Sequence, residues 1–369
     1  MSEDKKTPLY QSHVNSKAKM VPFGGWCMPI QYEGIIAETE HCRTSVSIFD
    51  TCHMGEFRFK GDIVNSGIEA AISFPISKVP VGKCKYGFLM NSSGGVVDDL
   101  IVYRIAEDEL MMVVNAATCD NDFKYMSSFL SGDYIFENNS DKTSKIDVQG
   151  PLSKEVMKLF FDGDFDSMKY FGFIYSKYQG QDILISRTGY TGELGYEIYS
   201  DVSLAESMWD KLLSDERVKP AGLGARDILR LEIGLSLYGQ ELNEKITPVE
   251  AGLPFFVDFE KEFVSSDILK EQKEKGTERV KIAFMAETRR SPRHDFEIYS
   301  GDELIGEVTS GVFSPMLKKG IGLGLVKAGY DKIGTDIQII SGRSKIDAKV
   351  CELPFYKNGT ARKKIIGAG

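Results

Sequence analysis

The hydrophobic period of the sequence changes near Gly55, Asn139 and Lys275, and these changes limit the folds that the chain can adopt. Residues 34–44, before the first change, place apolar side chains near one face of a predicted helix. Residues 56–60, after it, alternate polar and apolar side chains as a strand does. The chain has 369 residues, which is more than one hydrophobic core usually holds, so the changes indicate separate packed units of an α+β protein.

The segment between the first two changes predicts one compact unit. Residues 86–90 and 96–105 form a predicted hairpin around an Asn-Ser-Ser-Gly-Gly turn. Residues 63–72 have the spacing of an amphipathic helix, and a second helix is predicted around residues 123–130. Strands and helices mixed over so short a segment are typical of an α+β domain.

The last part of the chain, residues 280–353, predicts a small β-barrel or sandwich, because short alternating strands are separated by glycine turns. Residues 271–278 are charged and lack apolar spacing, so we predict a linker there. The glycine-rich run 320–324 lacks the third glycine of a dinucleotide-binding loop, since Leu325 and Lys327 occupy the two candidate positions. We interpret this run as a strand that packs closely against a neighbour.

Composition and spacing argue against several classes of protein. No segment approaches the roughly 18 apolar residues of a membrane span, and the N-terminus lacks the apolar core of a secretory signal, so we expect a soluble cytoplasmic protein. The net charge of −9 disfavours a general nucleic-acid surface. The 6 cysteines form no Cys-x-x-Cys pair and the 4 histidines are widely separated, so neither a disulfide framework nor a metal site is expected.

Carboxylates are the main candidates for chemistry, because no phosphate-binding loop, nucleophile elbow or zinc-protease motif is present. Asp98 and Asp99 begin an apolar strand, where successive side chains point to opposite faces, so one of the two is expected to face inward. A buried carboxylate is costly unless it meets a cation or hydrogen-bond donors, and such positions are often functional. A surface pair that stabilises the hairpin is the alternative, and a slip of one residue in register would exchange the two acids.

Two further motifs have the chemistry to bind a flat polar ligand. Residues 187–193 combine a cation, an acid and Tyr190 with two glycines, and Glu197 follows. A tyrosine ring stacks on heterocycles, and a carboxylate accepts from their N–H groups. Residues 222–227 open a predicted helix, where Arg226 is suited to a carboxylate ligand or to an ion pair with a neighbouring acid. The sequence leaves these alternatives open. The first motif also fits a turn that has polar side chains but binds no ligand.

The order of short motifs along the chain is its most specific feature, although each motif alone is weak. They are residues 6–10 (KTPLY), 19–26 (KMVPFGGW), 49–56 (FDTCHMGE), 94–100 (GGVVDDL), 113–117 (VVNAA), 187–193 (RTGYTGE), 221–226 (AGLGAR), 231–232 (LE), 238–240 (YGQ), 247–253 (TPVEAGL), 309–311 (TSG) and 354–355 (PF). In this order the chain resembles the glycine-cleavage T-protein family from end to end.

The resemblance implies three domains in a cloverleaf around a central folate channel. A split first domain would comprise residues 1–54 and 140–270, and an inserted ferredoxin-like domain would comprise residues 55–139. A C-terminal β-barrel or jelly-roll domain would comprise residues 278–369. The three changes of hydrophobic period agree with these bounds.

The resemblance also implies an activity and its residues. The expected reaction is aminomethyl transfer: a methylene group passes from the aminomethylated lipoyl arm of the glycine cleavage H-protein to tetrahydrofolate, ammonia is released, and no metal takes part. Asp99 falls on the position most tied to catalysis in the family. The residues on folate-pocket positions are Tyr86, Asn115, Tyr190, Glu197, Arg226 and Arg362.

Two other functions are compatible with the same scaffold. A relative that demethylates a small sulfonium or methylamine compound onto tetrahydrofolate would keep the folate residues and change only the donor pocket. A folate-binding regulator, or an RNA-modification or iron–sulfur assembly factor, would carry a cysteine in a Lys-Gly-Cys-Tyr setting. Residues 319–322 read Lys-Gly-Ile-Gly here, which disfavours the second alternative.

Overall fold

The structure, a computed structural model, describes residues 4–362, so residues 1–3 and 363–369 of the predicted terminal domains lie outside it. The described chain is an α+β protein, as predicted. Its α-helices are Tyr10–Asn15 (α1), Ile35–Thr44 (α2), Cys119–Ser127 (α3), Ser153–Phe160 (α4), Ala205–Leu213 (α5), Leu223–Ile233 (α6) and Ser266–Lys275 (α7). Its strands are Lys5–Lys6 (β1), Lys19–Phe23 (β2), Trp26–Gln31 (β3), Val46–Asp50 (β4), Gly55–Gly61 (β5), Lys83–Met90 (β6), Val96–Arg104 (β7), Glu109–Val114 (β8), Tyr134–Asn138 (β9), Thr143–Gln149 (β10), Phe173–Tyr178 (β11), Gln181–Ser186 (β12), Gly195–Asp201 (β13), Val218–Pro220 (β14), Arg279–Ala286 (β15), Glu297–Ser300 (β16), Glu303–Ser314 (β17), Lys319–Lys327 (β18), Asp336–Ser341 (β19) and Ser344–Cys351 (β20).

A six-stranded sheet has the order β11-β12-β13-β10-β4-β14 and is buried on both faces at its centre. Side chains on β10 alternate between these faces. Ile146 and Val148 join an apolar core that also contains Trp209 of α5. Lys145 and Asp147 point to the other face, where charged groups are collected. The sheet therefore separates the core from a polar layer next to the site described below.

A five-stranded antiparallel sheet has the order β6-β7-β8-β5-β9. Strands β5, β7, β8 and β9, with α3 between the last two, have the antiparallel arrangement of a ferredoxin-like unit, and β6 is added at its edge. The hairpin predicted from residues 86–90 and 96–105 is confirmed as β6 and β7. This hairpin contains both candidate aspartates.

The helix predicted over residues 63–72 is wrong, because this segment consists of turns. The side chain of Asp62 accepts two backbone N–H groups that follow it, which competes with helix formation. Gly67 adopts a φ of +89°, and a Cβ there would lie 2.1 Å from a backbone oxygen of a neighbouring loop. Ile63 and Ile68 are nevertheless buried, so the apolar spacing reflects packing of turns on the sheet.

The C-terminal region is a closed barrel with the order β15-β18-β17-β16-β19-β20, which confirms the predicted β-barrel. The glycine-rich run lies on β18, and a Cβ at Gly322 would come within 2.4 Å of the Phe284 ring. The close packing predicted for this run is therefore observed. The linker predicted over residues 271–278 is largely wrong, since α7 extends to Lys275. Its only fully buried apolar side chain is Leu269, so the helix shows little apolar periodicity.

Candidate active site

The β6–β7 hairpin positions Asp99 beside a tyrosine. Its register pairs Phe88 with Asp99, so Tyr86, two residues earlier, is the diagonal neighbour of Asp99 on the same face. The hydroxyl of Tyr86 donates to Oδ2 of Asp99 at 2.9 Å. Asn91 closes the turn of the hairpin, because its side-chain oxygen accepts two backbone N–H groups within it. The turn thus supports the register that brings the phenol and the carboxylate together.

Asn115, which follows β8, joins the two aspartates. Its Nδ2 donates to Oδ1 of Asp98 at 2.7 Å and to Oδ1 of Asp99 at 2.8 Å, and its backbone N–H donates to Oδ2 of Asp98 at 2.8 Å. Asp98 is completely buried and Asp99 is half-buried. The alternative of a surface pair is therefore wrong. The expectation that only one acid faces inward is too narrow, because an amide at the end of the next strand reaches both.

A third carboxyl group, that of Asp122, lies near Asp98 and Asp99, and the pKa values of all three groups are raised. Asp122 on α3 is fully buried, and burial followed by the charge of Asp98 raises its pKa to about 10. Burial, and then the charge of Asp98, raises the pKa of Asp99 to about 7. Burial also raises the pKa of Asp98, although the N–H groups of Asn115 act in the opposite direction. A carboxyl group with this pKa can both take up and release a proton near neutral pH, which general acid–base catalysis requires.

Strands β2 and β3 pair as an antiparallel hairpin, called the N-terminal hairpin below. A cavity of about 700 Å³ lies between this hairpin, the five-stranded sheet, α6 and the barrel. This volume is typical of a site for a drug-sized ligand. Polar and charged side chains of α6, of the barrel and of the segment that follows β8 line it, and the N-terminal hairpin contributes apolar ones. Among the residues that line it are Phe23, His53, Asn115, Tyr190, Arg226, Asp227, Arg230, Tyr238, Gln240, Arg293, His294, Thr309 and Ser310.

Arg226 and Tyr190 form one wall of this cavity. The guanidinium of Arg226 lies 4.9 Å from the centre of the Tyr190 ring, and its Nη1 donates to Oδ2 of Asp147 at 2.7 Å. The ion pair with a neighbouring acid, one of the two alternatives for Arg226, is therefore present. Within residues 4–362, Nη1 is the only atom of this guanidinium in a hydrogen bond, so its remaining N–H groups are available to a ligand.

Glu197 and Arg362 are not among the residues that line the cavity. Asp99 and Tyr86 do not line it either, but Asp99 accepts a hydrogen bond from Asn115, which does, and Tyr86 donates to Asp99. Glu197 is buried in the polar layer, where Lys145 lies 3.1 Å from its Oε1 and Thr188 donates to its Oε2 at 2.7 Å. Lys145 also pairs with Asp147, so Glu197 connects to Arg226 through a chain of charges. Arg362 is exposed at the end of the described chain. The structure thus brings together Tyr86, Asp99, Asn115, Tyr190 and Arg226, and leaves the other two apart.

Arg230 and His53 are two of the cavity residues that were not recognised as site residues from the sequence. Arg230 lies one helical turn after Arg226 on α6, and this spacing of four residues was the signal that could have revealed it. His53 lines the cavity while almost fully buried, and burial lowers its pKa to about 4. No residue spacing predicts this position, because it depends on the fold of the N-terminal hairpin over it. Phe23 of that hairpin packs edge-on against the imidazole.

Two further features of the structure concern metal ions and membranes. Within residues 4–362, no group of three or more His, Cys, Asp or Glu side chains has an arrangement suited to a metal ion. None of the helices in this described range is long and apolar enough to cross a membrane.

Comparison with known proteins identifies the family. The family model of the GCVT N-terminal domain matches residues 9–261, and that of the glycine cleavage T-protein C-terminal barrel domain matches residues 279–357. A protein named aminomethyltransferase from Flavobacterium psychrophilum is 43% identical over 358 residues, which cover 96% of this chain and 99% of the relative. One of the same name from Caldanaerobacter subterraneus is 43% identical over 360 residues and 96% of each chain.

A solved structure agrees with these relatives. The crystal structure of the glycine cleavage system aminomethyltransferase T from Bartonella henselae superposes with a TM-score of 0.90 at 31% identity. The match covers 95% of this chain and 98% of the other. The family models, the full-length relatives and the fold all support one assignment: this chain belongs to the glycine cleavage T-protein family and is an aminomethyltransferase.

Proposed function

We propose that the protein transfers a methylene group from the S-aminomethyl-dihydrolipoyl arm of the H-protein to tetrahydrofolate. The C–N bond of the S–CH2–NH3+ group breaks and ammonia leaves. N5 of tetrahydrofolate then bonds to the methylene as the C–S bond breaks, and N10 closes the ring to give 5,10-methylenetetrahydrofolate. The folate loses two protons, one of which is taken up by the departing lipoyl sulfur, which becomes a thiol, and the other by ammonia.

The observation that carries this proposal is the hydrogen bond from Asn115, a residue of the cavity wall, to the carboxylate of Asp99. This carboxylate lies next to two ligand-binding groups, the phenol of Tyr86 and the amide of Asn115. Its negative charge stabilises the cationic methylene that develops as ammonia leaves, and this effect is stronger in a cavity from which water is excluded. With a pKa of about 7, the same group is suited to take the proton of the attacking amine.

The other residues that we assign to folate bind and orient it. Tyr190 presents an aromatic ring to the cavity for the pteridine, and Arg226 supplies free N–H groups for the anionic tail. Holding two partners in one cavity converts the attack into an effectively intramolecular step. Glu197 stays a folate-binding prediction that rests on its place after the 187–193 motif and on the resemblance, and Arg362 stays one that rests on the resemblance alone. The use of no metal, the cytoplasmic location, the absence of a nucleic-acid partner and the domain bounds also stay predictions.

The test is the formation of 5,10-methylenetetrahydrofolate from tetrahydrofolate and aminomethylated H-protein. We expect turnover by the wild type and a loss of about a hundredfold or more in kcat for Asp99→Asn, because the amide has no charge to stabilise the cation. The matched control is Asp108→Asn, which removes an exposed carboxylate between β7 and β8 of the same sheet. This control should keep the wild-type rate.

Two results would contradict the proposal. Wild-type protein that binds tetrahydrofolate but does not react with the aminomethylated H-protein would indicate a small-molecule donor instead. An Asp99→Asn variant as active as Asp108→Asn would show that the carboxylate is not part of the reaction.

A further inference from the structure

We infer that Asp98 is a positioning residue for the transfer: it holds the side-chain and backbone N–H groups of Asn115, so that Oδ1 of Asn115 faces the cavity as the acceptor for an N–H group of bound folate. The inference rests on the proposed function, because it assigns this acceptor to tetrahydrofolate. Asp98 is fully buried and is not among the residues that line the cavity. It therefore acts through Asn115.

The orientation of the Asn115 amide follows from its partners. Nδ2 contacts one oxygen of Asp98 and one of Asp99, and only the nitrogen end of an amide can donate to two carboxylates. A flipped amide would place its oxygen against both acids. Within residues 4–362, no protein donor is hydrogen-bonded to Oδ1 of Asn115. Both side-chain N–H groups are thus used inside the protein, and the oxygen is left for a ligand.

Asp122 explains how the buried charge of Asp98 is tolerated. Neither oxygen of Asp122 has a hydrogen-bond partner among N–H and O–H donors of the described residues. Asp122 faces Asp98, and its pKa of about 10 keeps it protonated at neutral pH. A protonated carboxyl group can donate to Asp98, whereas two ionised carboxylates would repel each other. A hydrogen bond from Asp122 favours the ionised form of Asp98 and opposes the burial that raises the pKa of Asp98.

The charge of Asp98 also acts on Asp99. Titratable groups whose charges interact with Asp99 include Asp98 on its own strand, Tyr86 on β6, Asp122 on α3, Tyr190 after β12 and Tyr238 after α6, and Arg226 and Arg230 line the adjoining cavity. The tyrosines are neutral because burial raises their pKa values, and Asp122 is protonated. Burial is the largest cause of the raised pKa of Asp99, and the negative charge of Asp98 is the next. Its removal should lower that pKa.

The experiment compares Asp98→Asn with Asp122→Asn in the full enzyme, with tetrahydrofolate and aminomethylated H-protein as substrates. For Asp98→Asn we expect the acidic limb of the pH profile of kcat to move to lower pH. Removing the negative charge of Asp98 should lower the pKa of Asp99. We also expect the KM for tetrahydrofolate to rise about tenfold, as for the loss of one oriented hydrogen bond. Asp122→Asn replaces a protonated acid by a neutral amide, so its acidic limb should stay at the wild-type pH.

A second variant makes the test independent of how well Asp98→Asn folds. Asn115→Leu removes the acceptor and leaves Asp98 in place, so it should raise the KM for tetrahydrofolate by at least as much. In the double variant the two increases should not multiply, because Asp98 acts through Asn115.

Two outcomes would overturn the inference while wild-type turnover still supports the proposed function. One is an Asp98→Asn variant with the wild-type acidic limb and KM. The other is an Asn115→Leu variant with an unchanged KM for tetrahydrofolate. Loss of wild-type turnover, in contrast, would overturn the proposed function itself.

Discussion

Ionisable side chains inside this protein have their charge decided by their nearest neighbours. Arg43 is buried between Glu193 and Glu232, with N–O distances of 2.8 and 2.7 Å, and so stays charged. The imidazole of His53 has no such partner, and its Nδ1 is hydrogen-bonded to no atom of residues 4–362. Because desolvation disfavours the charged form, His53 is neutral in the folded protein.

This difference predicts a contribution of His53 to acid sensitivity. Its pKa is about 4 when folded and 6.5 ordinarily, so the unfolded chain binds more protons between these values. The stabilising contribution is complete above pH 6.5 and is lost as the pH falls toward 4. We expect His53→Gln to reduce the loss of unfolding free energy between pH 7 and pH 5 by about 2 kcal/mol, measured by urea denaturation.

His294→Gln is the matched control for this prediction. His294 also lines the cavity, but its Nδ1 lies 2.7 Å from the carbonyl oxygen of Thr309 and its side chain is 46% exposed. Comparison of the two variants separates the loss of the His53 imidazole from the effect of replacing a histidine elsewhere in the cavity wall. Equal pH dependence of the wild type and His53→Gln would contradict the prediction.

At the scale of single elements, the β6–β7 hairpin determines where both aspartates lie. Its turn is pressed against the loop that contains Glu244: a Cβ on Gly95 would lie 1.9 Å from the backbone oxygen of Glu244. Asn91 also donates to that oxygen at 2.9 Å. The hairpin is thus held at its tip by backbone contact as well as along its strands.

Gly95→Ala should therefore disturb this element. The added methyl group forces the hairpin and the Glu244 loop apart, and we expect a loss of about 1–3 kcal/mol in unfolding free energy together with reduced kcat. Thermal denaturation and the turnover assay measure the two effects. Ser92→Ala, at an exposed position in the same turn, is the control and should change neither. A Gly95→Ala variant with wild-type stability would show that the loop gives way without cost.

On the scale of the whole molecule, α6 joins the cavity to the barrel. Arg230 donates to Glu241 at 3.1 Å and to the hydroxyl of Ser310 on β17 at 2.7 Å. Thr309 on the same strand donates to Glu241 at 2.6 Å. Apolar side chains of α6, Ile228 and Leu231, pack in one cluster with barrel residues. One face of the cavity is consequently built by contacts between α6 and the barrel.

Arg230→Met should weaken this junction strongly. The side chains of Arg230 and Glu241 are 2% and 0% exposed, so removing the cation leaves a buried carboxylate without its charge partner. We expect a loss of about 3–5 kcal/mol in unfolding free energy, measured by denaturant titration. Arg58→Met, which breaks an ion pair with Glu109 whose arginine is 46% exposed, should cost at most about 1 kcal/mol. Similar losses in the two variants would contradict this prediction.

Hydrophobic periodicity was sufficient to predict several elements because each depends on contacts within a short stretch of chain. The β6–β7 hairpin and the alternating strands of the barrel are of this kind. The same reasoning failed for residues 63–72, where Gly67 and a neighbouring loop favour turns over the helix that the apolar spacing indicated. It failed again for α7, whose helix buries too little apolar surface to show a period.

The fold class, the barrel, the family resemblance and the carboxylate pair on one hairpin can all be read from the order of residues along the chain. How these carboxylates are used depends on contacts that form between distant parts of the chain. Asn115, the partner of Asp98, is 17 residues away and follows a different strand. The same holds for Glu197, whose partner Lys145 is 52 residues away on another strand. Periodicity reports which face a side chain occupies, whereas its charge and orientation depend on neighbours that only folding brings together.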